Sequence, residues 1–242
     1  MSHAAFPTTR GSMVEAMTSS DADARRAAFD AILAVYWRPV YFHLRTRWAR
    51  EPADAEDLTQ EFFAAALHGD FFADYDPARA RFRTFLRLCC DRFAARAARD
   101  ARRLKRAGGA VHLPLDFAAA ELELAAGAGD DAPDPDARFD AETLRSLLDL
   151  AVTGLREQCR RDGHESRFAV FERYDLAPHG DHRPTYRQIA EALDLPITQV
   201  TNHLAWARRM LRRLALERLR QLCATEEEFR EEARALFGVM TP

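Results

Sequence analysis

Apolar residues recur along this chain at intervals of three and four, and the spacing predicts an all-α fold. The clearest stretch runs from Thr185 to Leu214, TYRQIAEALDLPITQVTNHLAWARRMLRRL. Thr185 and Gln188 have the spacing of a capping box, in which each side chain satisfies an amide of the other residue. Pro184 discourages any helix from entering from upstream. The first helix would turn Ile189, Ala190 and Leu193 to a core. A break at Asp194-Leu195-Pro196 follows, with proline tolerated in a first helical turn. The second helix then lines up Val200, Leu204, Ala207 and Leu211. Its other face offers Gln199, Thr201, Asn202, His203, Arg208, Arg209 and Arg212. Amides and hydroxyls followed by arginines suit a helix that reads base edges and then holds phosphates. The same pattern also fits an ordinary helical hairpin with a solvated basic face.

Upstream, residues 1–19 lack periodicity and are expected to be a mobile arm. Ser20 and Asp23 mark a helix start. Phe29, Ile32, Leu33, Tyr36, Val40 and Leu44 keep helical spacing to about Trp48, with Trp37 and Tyr41 as core aromatics. Pro39 should kink or break this run. Pro52 opens ADAEDLTQEFFAAALHG, which Gly69 ends. Leu58, Phe62 and Ala65 point one way, while Asp54, Asp57 and Glu61 share another face with Gln60 at its edge. Such carboxylates can be catalytic, bind metal, dock on a basic partner or simply be solvated. Catalysis requires burial or close pairing to raise a pKa, and nothing apolar surrounds these positions.

An aromatic loop follows, with Phe71, Phe72 and Tyr75 around Asp74, Asp76 and Pro77. It leads into a helix whose apolar stripe is Phe82, Phe85, Leu86, Cys89, Phe93 and Ala97. Arg83, Arg87, Arg92, Arg96, Arg99, Arg103 and Arg106 lie largely off that stripe. Rings beside an arginine-rich helix suit single-stranded nucleic acid, although Phe82, Phe85 and Phe93 fit a core better. Gly108-Gly109 ends the helix. Residues 107–138 are rich in Ala, Gly, Asp and Pro and form an acidic flexible linker, disordered from Ala125 to Pro135. Periodicity returns over 139–223, with Leu144, Leu147, Leu148, Ala151 and Leu155, then Phe168, Val170, Phe171 and Tyr174. The segment 224–242 is a C-terminal amphipathic helix on Phe229, Ala233, Leu236 and Phe237, behind a Thr225 cap. It is expected to fold back onto the second domain, laying an acidic face that includes Glu231 and Glu232 over the recognition helix.

The 242 residues suffice for one large domain or two small ones. The formal charge of −3 conceals segregation: Arg79 to Arg106 holds eleven basic residues against Asp91 and Asp100, and Glu121 to Glu142 holds eight acidic ones against Arg138 alone. One face for a polyanion and one segment that avoids or imitates it follow from such blocks. Of 35 basic residues only Lys105 is lysine, so arginine abundance by itself carries no weight. Cys89, Cys90, Cys159 and Cys223 lack C-x-x-C spacing, and Cys89 and Cys90 read as buried thiols. A zinc held by Cys159 and His164 is the weaker reading of that pair. With no apolar span of about 18 residues and no secretory pattern, the chain is expected to be cytoplasmic, with no membrane partner.

Taken in order, these pieces resemble a bacterial sigma-70 family RNA polymerase sigma factor of the extracytoplasmic-function type. DAEDLTQEFF resembles the family's D-A-E-D-x-x-Q-E-x-F helix. FRTFLRLCCDRFAARAARDARR is similar to its F-R-x-W-L helix. TYRQIAEALDLPITQVTNHLAWARRML is similar to S-Y-x-E-I-A-E-x-L-G-x-S-x-G-T-V-K-S-R-L. The resemblance makes 20–106 a region 2-like domain and 139–223 a region 4-like helix-turn-helix. It departs at Phe85 (usually Trp), Cys90 and Asp91 (often Asn), Asp194 (Gly), Pro196 (Ser), and Thr201, Asn202 and His203 (Lys, Ser, Arg). Promoter preference is therefore expected to diverge.

The resemblance implies a promoter-specificity subunit without catalysis or cofactor. Its partners would be core RNA polymerase, promoter DNA and, in families of this kind, an anti-sigma factor, with no small-molecule substrate. Asp54, Asp57, Gln60 and Glu61 would dock on the polymerase clamp. The Phe71–Ala78 loop and the helix with Arg83, Arg87, Arg92, Arg96, Arg99 and Arg103 would hold the −10 element open. Gln199, Thr201, Asn202 and His203 would read the −35 groove, with Arg208, Arg209 and Arg212 on phosphates. The acidic linker would thread toward the polymerase's nucleic-acid channels. A free-standing dimeric helix-turn-helix regulator explains residues 140–214 but not the first half. An acid-base or metal enzyme lacks His or Cys at ligand spacing.

Overall fold

A computed structural model describes residues 13–17, 19–68, 72, 74–100, 113–126, 134–178 and 183–238. Expectations for Gly69, Phe71, Arg103, Arg106, Gly108-Gly109 and the greater part of 125–135 lie outside these residues. Every regular element among the described residues is helical. In order they are α1 (Met13–Ala16), α2 (Ala22–Thr46), α3 (Pro52–His68), α4 (Phe82–Asp100), α5 (Phe117–Ala126), α6 (Pro135–Arg161), α7 (Glu165–Phe171), a π turn (Glu172–Leu176), α8 (Tyr186–Leu193), α9 (Ile197–Leu222) and α10 (Glu226–Phe237). No described helix is long and apolar enough to cross a membrane. The chain divides into two compact units, Met1–Ser146 with Leu219–Pro242, and Leu147–Arg218.

The first unit is organised around α2. Asp21 caps it, its carboxylate accepting from the amides of Asp23 and Ala24. The expected face is buried, with Phe29, Ile32, Tyr36, Val40 and Leu44 at 2% exposure or less. From Pro39 to Leu44 every residue is buried, so this half of the helix is covered on all sides. α1, α3, α4 and α5 all pack on it. That enclosure explains why Pro39 does not break the helix as expected: one intrahelical bond is lost, but packing holds the run together through Thr46. Two further expectations change. Val14 and Met17, in the arm expected to be mobile, are buried. The acidic linker contains α5, whose Phe117 packs on Trp37 and Tyr41.

The charged residues of α5 also have partners. Glu121 accepts from the Tyr41 hydroxyl at 2.7 Å and from Arg45 Nε at 2.6 Å. Glu123 pairs with Arg38 and with Arg145. The Arg45 hydrogen bond, followed by that from Tyr41, holds the Glu121 carboxyl below its usual pKa. This part of the linker is a docked helix rather than a free acidic thread.

In the second unit, Leu155, Cys159, Phe168, Phe171 and Ala207 form one apolar cluster, and Val170, Ile189, Ala190, Val200 and Leu204 form another. The helix pair α8 and α9 starts as expected from its capping box: the Gln188 amide donates to Thr185 Oγ1, and Gln188 Oε1 accepts from the Thr185 amide at 2.8 Å. Asp194 takes the left-handed conformation, φ 51° and ψ 49°, at the position where a glycine is cheapest.

Behind α2 lies one buried polar cluster. His43 Nε2 and Trp48 Nε1 both lie 2.8 Å from Asp91 Oδ1. Burial pushes the His43 pKa down against the opposing pull of Asp91. A histidine with a lowered folded pKa contributes stability that is present above its ordinary 6.5 and is lost as pH falls. The Tm advantage of the native chain over His43→Phe should therefore shrink as pH drops below 6.5, measured by thermal melts at a series of pH values.

Candidate nucleic-acid interface

The sequence of α4 starts badly for a helix. Its first turn has no acidic residue, and Arg81 and Arg83 sit at the positive end of its dipole. The missing carboxylates come from α10. Glu228 Oε1 accepts from the Phe82 amide and from the Tyr75 hydroxyl, both at 2.7 Å. Its Oε2 accepts from the Ala224 amide at 2.7 Å. Glu232 lies 3.0 Å from Arg83 Nε, and Glu231 lies 3.1 Å from Arg81 Nε. Asp140 on α6 also pairs with Arg83, and Asp136 with Arg87 at 3.1 Å.

α10 is held by more than charge. Thr225 caps it by accepting from the Glu228 amide. Phe229, Ala233 and Leu236 are buried, and each large apolar side chain contributes about 1.5–3 kcal/mol on full burial. Glu228 and Glu232 are buried with them, at 5% and 3% exposure. The C-terminal helix thus belongs to the first unit, which corrects the expectation that it folds onto the second. Glu232, placed on a free acidic face from periodicity, faces inward because Arg83 is there. Burial raises its pKa, and Arg83 only partly offsets that. Burial, helped by the bond to Glu228, likewise raises the Tyr75 phenol above its usual 10.

The residues expected to take the −10 strand therefore divide. Phe72 is buried, its ring 5.6 Å from that of Phe82, so it is not presented as a stacking platform. Tyr75 packs on Phe82 and Phe85 at 5.3 Å from each and is engaged by Glu228. Arg83 is buried and Arg87 half-buried, both in ion pairs. These four depart from the expected exposed surface, because the aromatic ring cluster and α10 enclose them. Arg92, Arg96 and Arg99 are exposed along α4. Arg103 and Phe71 lie outside the described residues. Cys90 is buried and Asp91 is engaged by His43 and Trp48, so both serve the interior. The loop and α10 also border an open cleft of about 470 Å³, with Arg79, Arg81 and Thr84 facing Thr225, Glu227 and Glu231.

On α3, Asp54, Asp57 and Glu61 are exposed on one face. Gln60 is half-buried, its Oε1 accepting from the Leu113 amide at 3.3 Å. This stretch, from α2 to just beyond α4, is where a known family appears. Residues 33–104 match the family model for sigma-70 region 2. Over those residues the chain is similar to sigma-70 region 2. Neither a curated protein nor a solved structure matches the chain.

In the second unit, Gln199, Thr201 and Asn202 are exposed on the first turns of α9, and His203 is half-buried. Burial lowers the His203 pKa, followed by the charges of Arg167 and His164. Arg209 and Arg212 are exposed. Arg208 is held by Asp175, Nε to Oδ2 at 2.8 Å and Nη2 to Oδ1 at 2.9 Å. Asp175 reaches it from the π turn, which the Ala177 amide closes by donating to the Glu172 carbonyl at 2.8 Å. Sequence periodicity gave no signal for that turn.

Removing one partner of a buried ion pair leaves an uncompensated charge and costs about 3–5 kcal/mol. Arg83→Ala should destabilise the chain on that scale, whereas Arg96→Ala should stay within about 0.5 kcal/mol. The Arg83→Ala penalty should be larger at pH 8 than at pH 5. Glu232 left alone has a folded pKa still further raised, and such a group is favourable below the unfolded value and unfavourable as pH rises. Urea unfolding at both pH values measures this.

Proposed function

We propose that this chain is an extracytoplasmic-function type sigma factor that recruits core RNA polymerase to promoters, with the first unit at the −10 element and the helix-turn-helix of the second at the −35 element. The match of residues 33–104 to sigma-70 region 2 carries this reading. The capped helix pair with an exposed polar row, Gln199, Thr201 and Asn202, supports its −35 half. A free-standing helix-turn-helix regulator leaves the region 2 match without a role.

Each group then has a physical task. The carboxylates of Asp54, Asp57 and Glu61 complement a basic docking surface on the polymerase, and Gln60 lies at the edge of that surface. Arg92, Arg96 and Arg99 follow phosphates along α4, while Arg209 and Arg212 anchor the second unit to duplex DNA. Arg208 supports α9 through Asp175 and adds a partly exposed cation. His203 beside Asn202 and Thr201 offers ring nitrogens for hydrogen bonding to base edges. Opening a duplex by capturing unpaired bases uses binding energy and needs no nucleotide hydrolysis, so the chain contributes positioned cations rather than catalytic groups.

In vitro transcription with core polymerase on a genomic fragment library tests the whole reading. The chain should select a defined set of promoters, and no selection overturns it. The double reversal Asp57→Arg with Glu61→Arg should abolish core binding with an unchanged circular dichroism spectrum, since like charges across an interface cost several kcal/mol. Asn202→Ala or Gln199→Ala should relax preference at one or two −35 positions by roughly tenfold. Arg209→Ala should weaken all sequences alike and lower the salt slope by about one unit.

A further inference from the structure

Three donors from separate parts of the first unit converge on one carboxylate. The Tyr75 hydroxyl comes from the loop, the Phe82 amide from the first residue of α4, and the Ala224 amide from the approach to α10, each 2.7 Å from Glu228. Because Oε1 accepts from both Tyr75 and Phe82, this one atom closes the segment 75–82 into a ring. Inside the ring the chain is held by its own turn: Asp76 Oδ1 accepts from the Ala78 amide at 3.0 Å, and Arg79 donates from its amide to the Asp76 carbonyl at 3.0 Å. At 5% exposure Glu228 is out of reach of the water that would otherwise take over these donors. On the outside of the ring the Arg79 side chain pairs with Asp76 at 3.2 Å and stands 85% exposed.

We propose that the C-terminal helix is a working part of the strand-capturing unit, and that Glu228 is a positioning residue that fixes the 75–82 loop in the form that meets unpaired DNA. The proposal rests on the sigma-factor reading. A loop that must order itself on binding spends interaction energy on that ordering, and one already braced does not. The unpaired strand is the partner concerned because the braced loop presents a cation, and the helix it leads into carries the exposed Arg92, Arg96 and Arg99. The buried anchors Phe229, Ala233 and Leu236 keep the carboxylate in place, so α10 acts as a fixed wall and not as a detachable guard.

The test compares the full-length native chain with Glu228→Ala, Glu228→Gln, Tyr75→Phe and Ile32→Val. Amide exchange over 75–82 is followed in the free protein. Permanganate-reactive thymines per bound duplex are counted with core polymerase on a promoter fragment selected by the native holoenzyme. Glu228→Ala should speed exchange over 75–82 by about tenfold and lower the open fraction per bound duplex by a similar factor. Tyr75→Phe, which removes one of the three bonds, should fall between it and the native chain. Ile32→Val weakens the α2 core without touching α10 or the carboxylate, so it should lower the Tm and leave the open fraction unchanged. Glu228→Gln keeps an oxygen for Tyr75 and Phe82, and serves if the alanine variant does not fold; it too should open less DNA than the native chain. An unchanged open fraction in the Glu228 variants, or an equal loss in Ile32→Val, overturns the proposal. Should the native holoenzyme select no promoter, the sigma reading fails by itself. Unchanged exchange over 75–82 in the free protein overturns the brace whatever the transcription assay shows.

Discussion

The first unit depends on a guanidinium placed where a helix least wants one. Arg83 lies in the first turn of α4, buried at 5% exposure, and it is stable there because Glu232 of α10 and Asp140 of α6 surround it. A buried ion pair is seldom a large net source of stability, since desolvation offsets much of the attraction. What it supplies is specificity. The charges around Arg83 come from α6 and α10, so three segments far apart in the chain meet at one side chain. Glu228, one turn before Glu232, extends the same junction to the loop through Tyr75 and Phe82.

Segregation of charge along the chain acquires a structural meaning in this unit. The acidic block meets cations of two elements: Arg38 and Arg45 of α2 pair with Glu121, Glu123 and Glu142, and Arg83 and Arg87 of the basic block pair with Asp140 and Asp136. Pairing consumes the cations nearest the core and leaves Arg92, Arg96 and Arg99 outside. The exposed cations are thereby narrowed from a whole arginine-rich helix to its later turns. The same principle works on a smaller scale in the second unit, where Asp175 holds Arg208 and leaves Arg209 and Arg212 exposed.

Local rules carried much of the architecture. The capping box at Thr185, the left-handed Asp194, the apolar faces of α2, α8, α9 and α10, and the Thr225 cap were all legible, because each depends on residues within one or two turns of each other. The acidic face of α3 was legible for the same reason. Pro39 misled because its effect on a helix is local, whereas the burial that overrides it comes from α1, α3, α4 and α5.

The sequence by itself therefore determined that this protein is all-α, where its helices lie apart from α1 and α5, and that it carries the pattern of a sigma-70 region 2 over residues 33–104. Tertiary structure decided which charged and aromatic residues are free to act. Phe72 and Arg83 have the same periodic credentials as exposed side chains, yet both are buried, and Glu232 turns inward from a face that looks solvated. Periodicity assigns a residue to one side of its own helix. Whether that side meets water or an opposite charge depends on a second element, here α10, about 150 residues further along the chain.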